Sequence, residues 1–210
     1  MSKISIVFCS ERGVIETQSM ILIASIKQAM GAKGTDMHAF SPRKDYLPSL
    51  DAFNFYKSEG VMCHINNLNR DFIEYPVANK LLSCVEIEKQ NIENEGLIFV
   101  DTDTVILKDI TVGVNLQDPA LFLRPVDNKG PGSEGENDPN DLFWQKVFAL
   151  CGVDIPEPSI WTTVRPHLIR NYFNAGFIWA HKLDGFFQQW YDDFIKIIES
   201  ELRPFGWTSR

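Results

Sequence analysis

Gly96 leads four apolar residues, Leu97-Ile98-Phe99-Val100, straight into Asp101-Thr102-Asp103. The run is too short for a helix and apolar on both faces. It therefore reads as a central strand of a largely parallel sheet. Its C-terminal end delivers two carboxylates. In an extended segment, residues two apart point to the same side, so Asp101 and Asp103 can face one point. At the C-terminal edge of a parallel sheet, that point is where ligands sit. Carboxylate oxygens suit Mg2+ or Mn2+, which keep positions free for phosphate oxygens. Such a cation offsets charge growing on a departing diphosphate. The plainer alternative is an acidic pair in a solvated turn. The buried strand before it and Thr104-Val105-Ile106-Leu107 after it make this alternative the weaker one.

The rest of the chain supplies the sheet. Ile4 to Cys9 is β-branched and reads as a first strand. Thr17 or Ser19 can cap a helix carrying Met20, Ile23, Ala24 and Lys27 at helical spacing, closed by Gly31 and Gly34. Met37 to Phe40 is the next strand, completing a strand–helix–strand unit. Pro42 and Pro48 punctuate a poorly patterned stretch to Tyr75, where Ala52–Ser58 and Met62–Ile65 offer short elements. A helix spans about Val77 to Gln90, followed by a polar turn over Asn91 to Gly96. Further strands fall at Ala120–Arg124 and Phe173–His181, the latter interrupted at Asn174-Ala175-Gly176. Helices follow at Leu142–Leu150 and Leu183–Leu202. Lys129 to Asp141 has four acidic residues, three Gly, two Pro and no other apolar side chain, which predicts a mobile loop or lid.

The fold class is α/β, a mostly parallel mixed sheet with helices on both faces. The 210 residues fit one domain, and the abrupt end after the last helix reads as a truncated gene, a fragment or a minimal version of a longer fold. With 20 basic against 28 acidic residues and a net charge of −8, nucleic acid is not the expected partner. No apolar run approaches bilayer length, and the short N-terminal apolar stretch is a strand rather than a signal peptide. Cys9, Cys63, Cys84 and Cys151 form no C-x-x-C pair and read as reduced, largely buried thiols of a cytoplasmic protein. Oligomeric state is left open.

Three segments carry a family resemblance. Phe99 to Leu107 resembles the D-x-D segment of GT-A-fold glycosyltransferases, the glycogenin-like group (family 8) in particular. Asn79-Lys80-Leu81-Leu82 is similar to that group's lysine-bearing helix, and Tyr172 to Ile178 to its F-N-[SA]-G strand, in the same order. The resemblance spans Ser2 to about Lys196. It implies a single Rossmann-like GT-A domain over residues 1–210, truncated at its C-terminus. It implies transfer of a sugar, commonly from a UDP-sugar, to an acceptor hydroxyl on a glycan, lipid or protein. Asp101 and Asp103 would hold Mn2+ or Mg2+. Lys80 would lie near the donor's sugar or phosphates, Asn174, Ala175 and Gly176 would line the sugar pocket, and Cys9, Ser10, Glu11 and Arg12 would meet the nucleoside. Thr102 sits between the cation ligands. Taken alone, Lys80 is a solvent-facing helix residue and Asn174-Ala175-Gly176 a β-bulge.

The chain departs from this family in two places. A histidine normally completes the cation site after the last helix, yet Leu202 to Arg210 holds none, leaving His167 or His181 as substitutes. The acidic-Gln segment that follows the F-N-[SA]-G strand is also missing. The glycogenin-like match implies retention of anomeric configuration, with no dedicated base. Inversion would need a carboxylate, for which Glu136, Asp138 and Asp141 are the candidates. Two rivals stand beside the transferase. One is a non-catalytic nucleotide-sugar-binding module. The other is a haloacid-dehalogenase-type phosphatase with Asp101 as nucleophile, Asp103 as acid/base, and Lys182 with Asp192-Asp193 in support.

Overall fold

The structure is a computed structural model that describes residues 4–31, 35–90, 94–200 and 202–204. Gly34 and the first residues of the predicted Asn91–Gly96 turn lie outside them. In chain order the elements are β1 (Ile4–Cys9), α1 (Val14–Met30), β2 (Thr35–Phe40), a 3-10 turn (Lys44–Tyr46), α2 (Leu50–Ser58), β3 (Met62–His64), α3 (Ala78–Lys89), β4 (Gly96–Val100), β5 (Ala120–Pro125), α4 (Asp141–Leu150), β6 (Ile160–Trp161), β7 (Leu168–Ile169), β8 (Phe173–His181) and α5 (Phe186–Glu199). A six-stranded sheet has the order β3-β2-β1-β4-β8-β5, and β6 and β7 form a separate hairpin. β1, β2, β3 and β4 pair in parallel, while β8 runs antiparallel to β4.

The chain forms two compact units: Met1–Phe122 with Gly176–Gln188, and Leu123–Ala175 with Gln189–Arg210. In the first, strand alternation divides the side chains between two faces. Ile4, Ile6 and Phe8 of β1, Met37 and Ala39 of β2, and Ile98 and Val100 of β4 pack with Leu22, Ile23 and Ile26 of α1 and Ala52 and Tyr56 of α2. The opposite face of β1 and β4 meets α3, whose Leu81, Cys84, Val85 and Ile87 are buried. Burying an aliphatic side chain of this size contributes roughly 1.5–3 kcal/mol, so the core is worth far more than any single polar contact. Glu88, next on α3, turns its carboxylate to the backbone N–H groups of Phe187 (3.2 Å) and Gln188 (2.9 Å), satisfying donors at the start of α5.

Several boundaries differ from the sequence expectation. Helix α1 begins at Val14, ahead of both proposed caps, because Gly13 at φ 98° lets the chain turn sharply out of β1. Ser19 is instead buried in mid-helix, where its hydroxyl meets Tyr56 Oη at 2.6 Å and Ser10 Oγ at 3.2 Å. Ser49, not foreseen as a cap, accepts the Ala52 N–H at 3.2 Å and starts α2. β8 runs unbroken through Asn174-Ala175-Gly176. Cys63 is exposed rather than buried, while all four cysteines are free. His181, one of the two substitute cation ligands, is fully buried and bonds the Leu116 carbonyl through Nε2 at 3.0 Å. No helix among the described residues is long and apolar enough to cross a membrane.

The second unit overturns the lid expectation for Lys129–Asp141. Asp141 is only 1% exposed. Its carboxylate accepts from Arg170 Nε (2.7 Å), Gln145 Nε2 (2.7 Å) and the Ser133 hydroxyl. Asp138 pairs with Lys129 and accepts the backbone N–H groups of Asn140 (2.8 Å) and Glu134 (3.2 Å). Trp144 of α4 donates to the Pro131 carbonyl at 2.7 Å. A Cβ on Gly132 would stand 2.8 Å from the Lys129 carbonyl oxygen, so only glycine fits this turn. Composition suggested solvation, but the polar side chains are spent on the segment's own backbone and on Arg170.

The Arg170 hydrogen bonds, more than those from Ser133 and Gln145, hold the Asp141 carboxyl down to about 2 from its usual 3.8, against the opposing effect of burial. A folded value below the unfolded one means the stabilisation is present in full above about pH 4 and is lost as pH falls toward 2. It is worth about 2 kcal/mol. Urea midpoints measured across that window are expected to fall steeply for the native chain and distinctly less for Asp141→Asn. Equal slopes would remove the assignment.

Candidate functional site

Parallel pairing of β1 with β4 sets Val7 beside Phe99. Two residues further along, the same register brings Cys9 beside Asp101, so both strands end at one edge of the sheet. Helix α3 lies across that face and adds Asn79 and Lys80. The result is a cleft of about 280 Å3 lined by Cys9, Glu11, Ile15, Pro76, Val77, Asn79, Lys80, Phe99, Asp101 and Thr102. It lies at the carboxyl ends of parallel strands, the usual ligand position in an open α/β sheet.

Asp101 is held from two directions. Its backbone N–H donates to the Gly176 carbonyl of β8 at 2.8 Å, continuing the β4–β8 ladder one residue past the strand. Its carboxylate oxygens each lie 3.0 Å from Lys80 Nζ. The ammonium also stands 5.4 Å from the centre of the Phe99 ring. The Asp101 side chain is 38% exposed and that of Lys80 15%, so the carboxylate remains reachable from the cleft.

The D-x-D segment itself is not extended. The chain turns at Thr102-Asp103, and the Thr104 N–H donates to the Asp101 carbonyl at 3.1 Å. The expectation that both carboxylates share a side by strand alternation therefore loses its premise: a turn, not a pleat, relates them. Thr102 lines the cleft and its hydroxyl is 3.4 Å from Gln18 Oε1, while Asp103 is exposed. Among the described residues no three His, Cys, Asp or Glu side chains are grouped to hold a metal ion. Asp101, with its carboxylate reachable from the cleft, and the exposed Asp103 carry oxygen donors of the kind that would suit a hard divalent cation completed by phosphate and water.

The end of β1 separates into distinct roles. Cys9 lines the cleft, with Sγ 3.4 Å from Ser83 Oγ, and burial pushes its thiol up to about 12. It is thus a neutral wall and not a nucleophile. Ser10 is fully buried against Tyr56 Oη at 2.6 Å and is not among the residues lining the cleft. Arg12 is exposed and its backbone N–H bonds the Tyr46 carbonyl at 2.9 Å.

Glu11 is the surprise, a carboxylate only 3% exposed beneath the cleft. Arg43 grips both its oxygens, Nε to Oε1 at 2.8 Å and Nη2 to Oε2. Asn79 Nδ2 donates to Oε1 at 2.9 Å, and Asn69 Nδ2 in turn donates to Asn79 Oδ1 at 2.8 Å. Arg43, Asn69 and Asn79 thus position the floor of the site. Sequence reading missed the first two because each sits in an irregular stretch with no motif. The only available signal was an arginine in a proline-punctuated segment of an acidic chain.

Of the other expected residues, Gly176 stands beside Asp101 through the backbone bond above. Asn174 and Ala175 lie on β8 in the second unit. His181 cannot complete a cation site, since it pairs with Gly96 at the opposite end of β4 from Asp101. His167 is engaged with Glu134 at 2.9 Å. Asp138 and Asp141, candidate bases, are structural anchors of their own segment, and only Glu136 is exposed. The phosphatase set is occupied otherwise. Lys182 donates to the carbonyls of Leu116 (3.2 Å) and Gln117 (3.0 Å), and Asp193 pairs with Lys196 on α5 at 2.8 Å.

Comparison with solved structures agrees with the fold. The galactosyltransferase LgtC, solved with donor and acceptor sugar analogues, superposes with a TM-score of 0.51 at 12% identity, covering 96% of this chain and 66% of its own. An active-site mutant of LgtC matches with a TM-score of 0.50 at the same identity and coverage. The glycosyltransferase GlyE of Streptococcus pneumoniae TIGR4 is similar at a TM-score of 0.42 and 12% identity, covering 95% of this chain and 38% of its own. The chain therefore spans just under two thirds of LgtC and well under half of GlyE. No curated protein matches in sequence. The architecture is that of GT-A glycosyltransferases. Residues 6–205 match the Rhodobacterales glycosyltransferase domain, and the chain belongs to that family.

Proposed function

We propose that this chain binds a nucleotide-diphospho-sugar, a UDP-sugar being the first expectation, and transfers its sugar to an acceptor hydroxyl. The observation that carries the reading is the cleft at the joined ends of β1 and β4, where Lys80 and Asp101 meet over Phe99. The alternative of a non-catalytic binding module shares this cleft and differs only in turnover.

In this reading Asp101 and Asp103 hold Mn2+ or Mg2+. When bound, the cation would offset the charge that collects on the departing diphosphate. The chain's own residues do the rest by position and charge. Lys80 places an ammonium beside the phosphates. Glu11, held rigid by Arg43 and Asn79, forms the nucleoside end, with Ile15, Pro76 and Val77 as apolar walls. Gly176, bonded to the Asp101 backbone, borders the sugar. Retention of configuration is proposed along with this, supported by the engagement of Asp138 and Asp141 elsewhere. A cytoplasmic location is proposed on the free thiols of all four cysteines.

A thermal-shift panel of nucleotide-sugars with and without Mn2+ is expected to single out UDP-sugars, with the largest rise when both are present. Asp101→Asn should lose most of that rise and weaken donor binding by about tenfold or more, the scale of one charge-assisted contact. Full Mn2+-dependent donor binding by that variant would refute the assignment. Donor binding without hydrolysis or transfer over a broad acceptor panel would favour the binding module.

Glu136→Gln is expected to leave kcat within about threefold of native, well short of the roughly hundredfold loss that removing a general base causes. Product anomers read by NMR should keep the donor's configuration. A hundredfold drop with an inverted product would establish inversion and assign the base.

A further inference from the structure

The buried side of α1 is apolar at Leu22, Ile23 and Ile26, yet Ser25 sits among them at 8% exposure. We propose that Ser25 is a positioning residue for the D-x-D turn. It fixes the backbone just beyond Asp103 and so sets where that carboxylate is offered to a cation. The inference rests on the reading of the cleft as a nucleotide-diphospho-sugar site.

The Ser25 hydroxyl has a defined orientation. Its proton goes to the Leu22 carbonyl one turn back, at 2.8 Å, which leaves its lone pairs for a neighbour outside the helix. One of them accepts the Ile106 N–H at 3.0 Å. Ile106 needs that acceptor because the loop after β4 dips into the core there. Its side chain is 7% exposed and packs in the same cluster as Leu22 and Ile26. A buried N–H without an acceptor would carry the full cost of losing water. Seven residues nearer the start of α1, on the same face of the helix, Gln18 Oε1 accepts the Thr102 hydroxyl at 3.4 Å. Gln18 and Ser25 stand about 10 Å apart along the axis, and the chain from Thr102 to Ile106 is held at both ends against that one face. Ile15, one turn earlier on the same face, is a wall of the cleft.

The two halves of the motif are thus placed by different helices. Asp101 is held by Lys80 of α3 and by the Gly176 carbonyl. Asp103 is exposed and follows its backbone, which runs from the turn closed by the Thr104 N–H to the Ile106 anchor. With the anchor in place, Asp103 has little freedom relative to Asp101. Without it, the chain beyond Thr104 can swing. Two carboxylates that must meet one ion would then do so only by ordering the turn at the moment of binding. A residue that holds the backbone of a ligand, rather than the ion, still governs how tightly the ion is bound.

The test has one readout without metal and one with it. In Ser25→Ala, the Ile106 amide followed by NMR is expected to exchange with solvent about tenfold faster than in the native chain. Mn2+ affinity of the whole chain with UDP present, read by loss of the free-ion electron paramagnetic resonance signal, is expected to weaken about tenfold. Ser25→Thr keeps an oxygen that can bond both its own helix and Ile106, and should return both readouts to within about threefold of native. Ile23→Val, a core change on the same helix, should lower the melting temperature yet leave Mn2+ affinity native. If Ser25→Ala binds Mn2+ as the native chain does, or Ile23→Val weakens binding as much, Ser25 only stabilises the fold. The inference is then overturned and the cleft assignment stands. An unchanged Ile106 exchange rate overturns it as well. If the native chain binds no Mn2+ with UDP present, the cation reading itself fails and this inference with it.

Discussion

Parallel hydrogen bonding between β1 and β4 decides where everything else at the cleft can be. Both strands are buried, so the ladder is shielded from competing water and slipping it by one residue would turn apolar side chains to the wrong face. With Val7 fixed beside Phe99, Cys9 and Asp101 emerge together at one edge. Helix α3 packs on the face that Phe99 and Cys9 share, and this alone brings Lys80 within 3.0 Å of Asp101. The charges at the site are consequences of apolar packing beneath them.

A second layer of order comes from polar side chains that never touch a ligand. Glu11, Arg43, Asn69 and Asn79 form a buried network that ties the end of β1 to the irregular segment after β2 and to the start of α3. A buried carboxylate is tolerable here because Arg43 neutralises it with two hydrogen bonds in fork geometry. In the second unit, Asp141 and Arg170 do the same for a glycine- and proline-rich segment that composition alone would leave in solvent. In both places an ion pair stands in for a hydrophobic core that the local sequence cannot supply.

The cleft was legible to the extent that its residues sit on regular elements. Asp101 was readable because a buried strand must end somewhere, whereas Lys80 was reached only through the family resemblance, since its helix position by itself reads as solvent-facing. Asp103 was placed correctly in the chain, but its relation to Asp101 was not. Strand alternation fails where a Thr104 N–H closes a turn onto Asp101. Ser10 and His181 are buried for a related reason. Each is polar, and its burial depends on distant partners, Tyr56 in one case and the Leu116 carbonyl in the other.

By itself the sequence determined the alternation of strands and helices, the central strand and the carboxylates at its end. Local periodicity and side-chain chemistry suffice for these. Only the tertiary structure decided which polar residues became scaffold and which stayed available to a ligand. That division depends on partners tens of residues away, and contacts across such separations leave no period, spacing or composition for a local reading to detect.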